Sequence, residues 1–261
     1  HKAEQSLKRL LPFRNQIENI IGNLLSADAE FTSPLLEARE VKHVSIVVFG
    51  SDDGLCGAYN VNIFKILLHQ LGDYREKFGP DVKITVYPVG AKITKAVGKL
   101  AGGNISMTSI EGVDSKTTGD GVRIFMERLQ QDFLSGGTDK VDVLYMQFKS
   151  VSRQRPSVEQ LLPVVQSTFS ANGVDEQCRP YIFEPDATTI FRSVLPMFLM
   201  AVMQDIFTEN RASEQAARVM AMQSANDNAK KLLDQLQLEY NKLRQQSITT
   251  ELLDILGGQI R

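Results

Sequence analysis

The sequence predicts an α/β protein: a domain with a mainly parallel sheet, joined to an antiparallel coiled coil of N- and C-terminal helices. Three observations predict it. Sixty residues from Met197 to Leu256 contain neither Gly nor Pro, although the 261-residue chain holds 18 Gly and 9 Pro. Globular helices average about 11–12 residues, so this stretch is read as one long helix. Between Asp28 and Ala187, short runs rich in β-branched residues alternate with helical stretches, the pattern of a doubly wound sheet. Before Ala27, Leu7, Leu10, Leu11, Ile17, Ile20, Ile21, Leu24 and Leu25 recur at three-, four- and seven-residue steps, marking an apolar helix face. The boundaries are 1–27, 28–187 and 188–261.

Taken in order, Pro12 predicts a kink or a restart in the first helix. His43–Phe49 reads as a buried strand, because Val and Ile dominate it. A Gly-rich turn and a helix from Asn60 to Phe78 follow. Lys83–Tyr87 is a second strand and Ala91–Leu100 a short helix. Ile105–Ile110 reads as a third strand, Gly119–Leu134 as a helix and Val141–Phe148 as the next strand. Leu161–Val165 and Tyr181–Phe183 are candidates for a late hairpin or edge strands. Together these describe a Rossmann-like α/β domain. Thr188 or Thr189 is placed to cap a short leading turn of the long helix, Pro196 suits a first helical turn or a kink, and Gly257–Gly258 a stop.

At about 1.5 Å per residue, sixty helical residues span roughly 90 Å. Ala225, Ala229, Leu232, Leu236 and Leu243, with Ala216 and Val219 behind them, form a coiled-coil seam that needs a partner. The first helix reaches about as far as Met220. Gln223–Leu256 is therefore expected to meet other chains or a preceding segment. Met197, Met200 and Met203 are read as core against the first helix, and Met220 and Met222 lie further along the same helix.

Composition excludes several classes. Lys and Arg number 29 against 31 Asp and Glu, a net charge of −2, without the basic excess of a nucleic-acid binder. Cys56 and Cys178 are too few for a disulfide framework and suit a reducing compartment. Val194–Met203 falls short of the roughly 20 residues that span a bilayer. No leader is expected. His1 falls inside a helical pattern, so the native chain is expected to start earlier.

Gly50-Ser-Asp-Asp-Gly-Leu-Cys-Gly57 stands where a phosphate loop would, between strand and helix. Its glycines do not follow G-x-G-x-x-G, no Gly-Lys-Ser/Thr follows, and Asp52 and Asp53 repel phosphate. It is read as a structural turn of Gly54, Cys56, Gly57 and Asn60. Cys56 lacks a neighbouring His and reads as a small buried residue. Glu111, Asp114, Asp139 and Asp142 match no metal-ligand spacing and read as solvated charge. No cofactor or metal is expected.

Ser51-Asp-Asp-Gly-Leu-Cys-Gly-Ala-Tyr-Asn60 resembles the S-x-x-G-L-C-G-x-[YF]-N turn of the γ subunit of F-type ATP synthase. Arg211–Met222, Asn226–Ala229, Tyr240–Gln245 and Ile248–Gly258 resemble that family's C-terminal helix and its ending, with Gln259 where the family usually has Ala. The likeness covers nearly the whole chain. The family's N-terminal helix runs the length of the coiled coil, so about thirty residues of it are expected ahead of His1.

The resemblance implies a non-catalytic rotor shaft. The coiled coil would lie in a ring of three α and three β subunits, and the α/β foot on the c-subunit ring beside the ε subunit. Proton flow would turn the foot, and the asymmetric shaft would bias each catalytic site in turn. Arg244, Gln245, Thr249 and Glu251 match positions that touch the catalytic β subunit. Arg218 matches a shaft position with an uncertain partner, and Tyr181 and Glu184 match foot positions facing the c ring and ε. No chloroplast-type redox insertion is apparent. The implied location is peripheral, on the cytoplasmic face of a bacterial inner membrane, held there only through the complex, with no nucleic acid bound. Two other readings stay open: a nucleotide-binding α/β enzyme with a helical oligomerisation arm, and a static coiled-coil scaffold.

Overall fold

A computed structural model describes residues 12, 14–22, 33–165 and 186–258. Residues 14–22 are helical (α1), and a 3-10 turn covers Pro34–Leu36. Then come β1 (His43–Phe49), α2 (Tyr59–Phe78), β2 (Lys83–Val89), α3 (Ala91–Val97), β3 (Ile105–Met107), α4 (Asp120–Leu134), β4 (Lys140–Ser150), β5 (Arg153–Leu162) and α5 (Ala187–Gly258). Pro12 is also helical, while the residues ahead of it lie outside the described set. So do Tyr181–Phe183, proposed above as strand.

The sheet order is β3-β2-β1-β4-β5. The first four strands are parallel and β5 pairs antiparallel with β4. β1 is central and apolar on both faces. Val44, Ile46 and Val48 join α2, α3, Leu144 and Met146 in one core, while Val47 and Phe49 face the other. That second core holds α4 and the stretch of α5 from Phe191 to Phe207, with Ile17 and Ile21 of α1. Alternate side chains of a strand point to opposite faces, so the near-continuous apolar run is what a sheet covered on both sides requires. Phe207 packs edge-on against Phe49 and Phe125, at 4.7 and 6.0 Å between centroids, tying α5 to β1 and α4.

Several expectations are corrected. β3 stops at Met107 rather than Ile110, because the chain then enters turns: Val113 N–H donates to Ile110 O, and Asp114 accepts from Lys116 N–H and Thr117 Oγ1. The late hairpin strand expected at Leu161–Val165 lies earlier in the chain: β5 begins at Arg153 and ends at Leu162, antiparallel to β4. Arg153, Gln154, Arg155, Ser157 and Glu159 carry the polar character of an edge strand, and Pro156 is tolerated at such an edge. Asp186 caps α5 in place of Thr188 or Thr189: its carboxylate accepts from Thr189 N–H at 2.8 Å and Thr189 Oγ1 at 2.7 Å. Pro196 lies inside α5, beyond its first turn. Met203 is buried, but Met197 is half exposed, about 120° away around the helix.

The chain divides into two compact units, residues 1–218 and 219–261. In the second, every described residue from 222 to 258 is exposed, including Leu232, Leu236, Leu243, Ile248 and Leu252.

Candidate functional site: the Gly50–Gly57 turn and the C-terminal helix

The turn is built from β1 outward. A Cβ on Gly50 would lie 2.5 Å from Ile93 Cβ and 2.9 Å from Asn60 Oδ1, so only glycine fits. Asn60, in the first turn of α2, reaches back: its Oδ1 accepts from Ser51 N–H at 3.0 Å and its Nδ2 donates to Ser51 Oγ at 2.7 Å. Cys56 lies within 3.6 Å of Ser51 Oγ and is buried, a small packed residue as expected. Gly57 has φ 58°, which glycine adopts without strain. Leu55 has φ 63° and is three-quarters exposed.

The acidic residues of the turn meet the protein itself. Asp52 accepts from Ala91 N–H at 2.9 Å and from Ser115 N–H and Oγ at 3.1 and 2.6 Å. Asp53 pairs with Lys116 at 3.0 Å. That hydrogen bond and charge hold the exposed Asp53 carboxyl below its ordinary value and raise the Lys116 ammonium.

In a doubly wound sheet, ligands bind beyond the carboxyl ends of the strands where the order reverses. Here that point is between β1 and β4, and α5 fills it. Asn210 Nδ2 donates to Gly50 O at 3.2 Å, and its Oδ1 accepts from Tyr59 Oη at 2.6 Å. Ser213 Oγ donates to Met146 O at 2.8 Å. Glu214, buried, accepts from Arg218 Nη2 at 2.8 Å, and Arg218 Nε donates to Gly54 O at 3.1 Å. Burial, with the Glu214 charge behind it, holds the Tyr59 phenol protonated far above its ordinary range. The position a nucleotide would take thus belongs to the protein's own helix.

Gly54, Cys56, Gly57 and Asn60 meet in this turn, and Arg218 closes onto it. Arg244, Gln245, Thr249 and Glu251 lie elsewhere on α5, all exposed, within about 160° of its circumference. Thr249 Oγ1 donates to Gln245 O at 2.8 Å, and both residues are exposed. Tyr181 and Glu184 lie outside the described residues.

Asn210, Ser213 and Glu214 carried no role in the sequence reading. Their signal was positional: after Leu199, Val202 and Ile206, polar residues take the next core-facing steps of the helix. Asp142 was misread. It sits buried in β4, where it accepts from Tyr74 Oη at 2.5 Å and pairs with Lys140; a single acidic letter inside an apolar strand does not reveal its partners.

Compared with known proteins, residues 1–259 match the family model described as ATP synthase. The chain is 40% identical to an ATP synthase gamma chain of Bacteroides fragilis over 267 aligned positions, covering all of this chain and 89% of that one. It is 34% identical to the gamma chain of Polynucleobacter asymbioticus, over 98% and 87%. Among solved structures it resembles a chain of the Euglena gracilis mitochondrial ATP synthase assembly of OSCP, F1 and c-ring (TM-score 0.57, 19% identity, 98% and 92% covered). It also resembles one of the Tetrahymena thermophila central stalk and c-ring (0.54, 19%, 86% and 96%).

Proposed function

Since this chain belongs to the ATP synthase gamma-chain family, whose members are non-catalytic subunits of a membrane-associated complex, we propose that it is the central rotor shaft coupling proton-driven rotation to ATP synthesis and hydrolysis. The observation that carries this reading is α5: a helix without breakers whose residues 222–258 are all exposed yet bear a long series of leucines and isoleucines. Exposed apolar surface of that extent marks an interaction site. The partners that fit are the α and β subunits around the helix, and the ε subunit and c ring at the foot.

The division of labour follows the three segments. Residues 28–187 form the foot, and 1–27 and 188–261 the two shaft helices. Arg244, Gln245, Thr249 and Glu251 meet the catalytic β subunit, where charge-assisted hydrogen bonds donated by Arg244 and accepted by Glu251 are strong and direction-dependent, engaging at one rotor angle and releasing at others. Tyr181 and Glu184 face the c ring and ε. The complex sits on the cytoplasmic face of a bacterial inner membrane, in keeping with the bacterial relatives. Shaft orientation then biases each catalytic subunit among its conformations.

The test is reconstitution. Mixed with α and β subunits of a bacterial ATP synthase, the chain is expected to co-elute with the ring and raise its ATPase rate. Micromolar binding of ATP, ADP or NAD to the isolated chain, with no affinity for the ring, favours the enzyme reading instead.

A further inference from the structure

We propose that Asn210, Ser213, Glu214 and Arg218 form a rotational lock that keys α5 into the α/β domain, so that turning force applied to the domain enters the helix there. The proposal rests on the rotor reading for its purpose, and on geometry for its existence. The four residues recur at three-, one- and four-residue steps, on the face of α5 that Leu199, Val202 and Ile206 bury further back. Apolar packing is non-directional, so those earlier residues resist separation of helix and sheet but oppose rolling only weakly. Hydrogen bonds weaken steeply with misalignment.

Each tie reaches a different backbone segment. Asn210 bonds the Gly50 carbonyl at the end of β1, and Ser213 the Met146 carbonyl in β4. Arg218 bonds the Gly54 carbonyl at 3.1 Å, with Asp53 O at 3.5 Å. Two strands and one turn therefore fix both the roll and the axial position of the helix. Asn210, Ser213 and Glu214 are at most 1% exposed, and such fully satisfied buried networks specify one arrangement. The turn is held from its other side as well, by Asp52 on Ala91 and Ser115 and by Asp53 on Lys116. Arg218 is the last residue of the first compact unit. The crevice that comparable sheets give to a ligand serves here as a socket.

The test measures torsional stiffness in the assembled complex. The ring is held on a surface, and a probe is attached to α2 through Val61→Cys in a Cys178→Ser background. Glu214→Gln combined with Arg218→Gln removes the ion pair without leaving a buried charge alone. The angular variance of the probe at a dwell is expected to rise about twofold or more, with ATP hydrolysis retained. Asp186→Ala, which weakens the start of α5 away from the socket, is expected to leave the variance at the wild-type value. Equal variance in the double variant and wild type, or an equal rise with Asp186→Ala, overturns the proposal. If the double variant does not fold, Ser213→Ala and Arg218→Lys carry the same comparison. If the wild-type chain fails to turn in the ring, the rotor reading falls, and amide hydrogen exchange on the chain judges the lock. Protection over 206–218 lost in Arg218→Lys upholds it, and unchanged protection overturns it.

Discussion

Arg218 donates from Nε to the carbonyl oxygen of Gly54 at 3.1 Å, joining two residues 164 positions apart. The sequence marks both, one in the Gly-rich turn and one on the long helix, and the fold brings them together. A turn that resembles a phosphate loop is thereby a seat for a helix.

Gly50→Ala is expected to destabilise the first compact unit. The new methyl would approach Ile93 Cβ to 2.5 Å, against a side chain that is itself fully buried. Overpacking of this kind costs about 1–3 kcal/mol. Urea unfolding followed by circular dichroism measures it; an unchanged midpoint contradicts the packing described.

Tyr74→Phe removes the donor that meets the buried Asp142 carboxylate at 2.5 Å. A loss of about 1–3 kcal/mol is expected in the same unfolding measurement. An unchanged unfolding midpoint contradicts a stabilising role for the Tyr74–Asp142 hydrogen bond.

Stability is expected to fall as pH rises from about 4 to about 7. Asp205 and Glu209 lie one turn apart on α5, and burial raises their carboxyls to about 6 and about 7. Arg14, 3.6 Å from Asp205, opposes the first shift and Glu18 adds to it. Glu159 and Asp205 push Glu209 up while Arg14 and Lys149 oppose. The folded state binds more protons than the unfolded state between their pKa values, so each unit of pH across that window lowers stability. Asp205→Asn with Glu209→Gln is expected to flatten the decline. An identical pH profile in the double variant contradicts this.

Gln245→Leu or Thr249→Val is expected to lower the ATPase rate of the reconstituted complex about two- to tenfold, the equivalent of one hydrogen bond. The melting temperature of the chain is expected to stay constant, since both side chains are exposed. Wild-type turnover contradicts the assignment of these residues to the β subunit.

Much of the fold was legible because its signals are local. His43–Phe49 reads as a buried strand from its own letters, and the long helix from its lack of breakers. Only the apolar end of β5, Leu161 and Leu162, was legible: an edge strand solvates one side of its ladder, so Arg153–Glu159 carries no strand signal until β4 is seen beside it. The turn was legible as a turn, but its occupant was not. Asn210 and Ser213 are ordinary polar letters on a helix, and only the topology that carries α5 across the ends of β1 and β4 gives them partners. Asp186 escaped for a smaller reason, since two threonines stand two and three residues after it and share its capping chemistry.

The most direct measurement is single-molecule rotation. With the α and β ring fixed to a surface and a bead on the α/β domain of this chain, ATP is expected to drive unidirectional turning with three equally spaced dwells per revolution, one for each catalytic subunit. An assembled, ATP-hydrolysing complex in which the bead stays fixed, or diffuses without direction, contradicts the shaft.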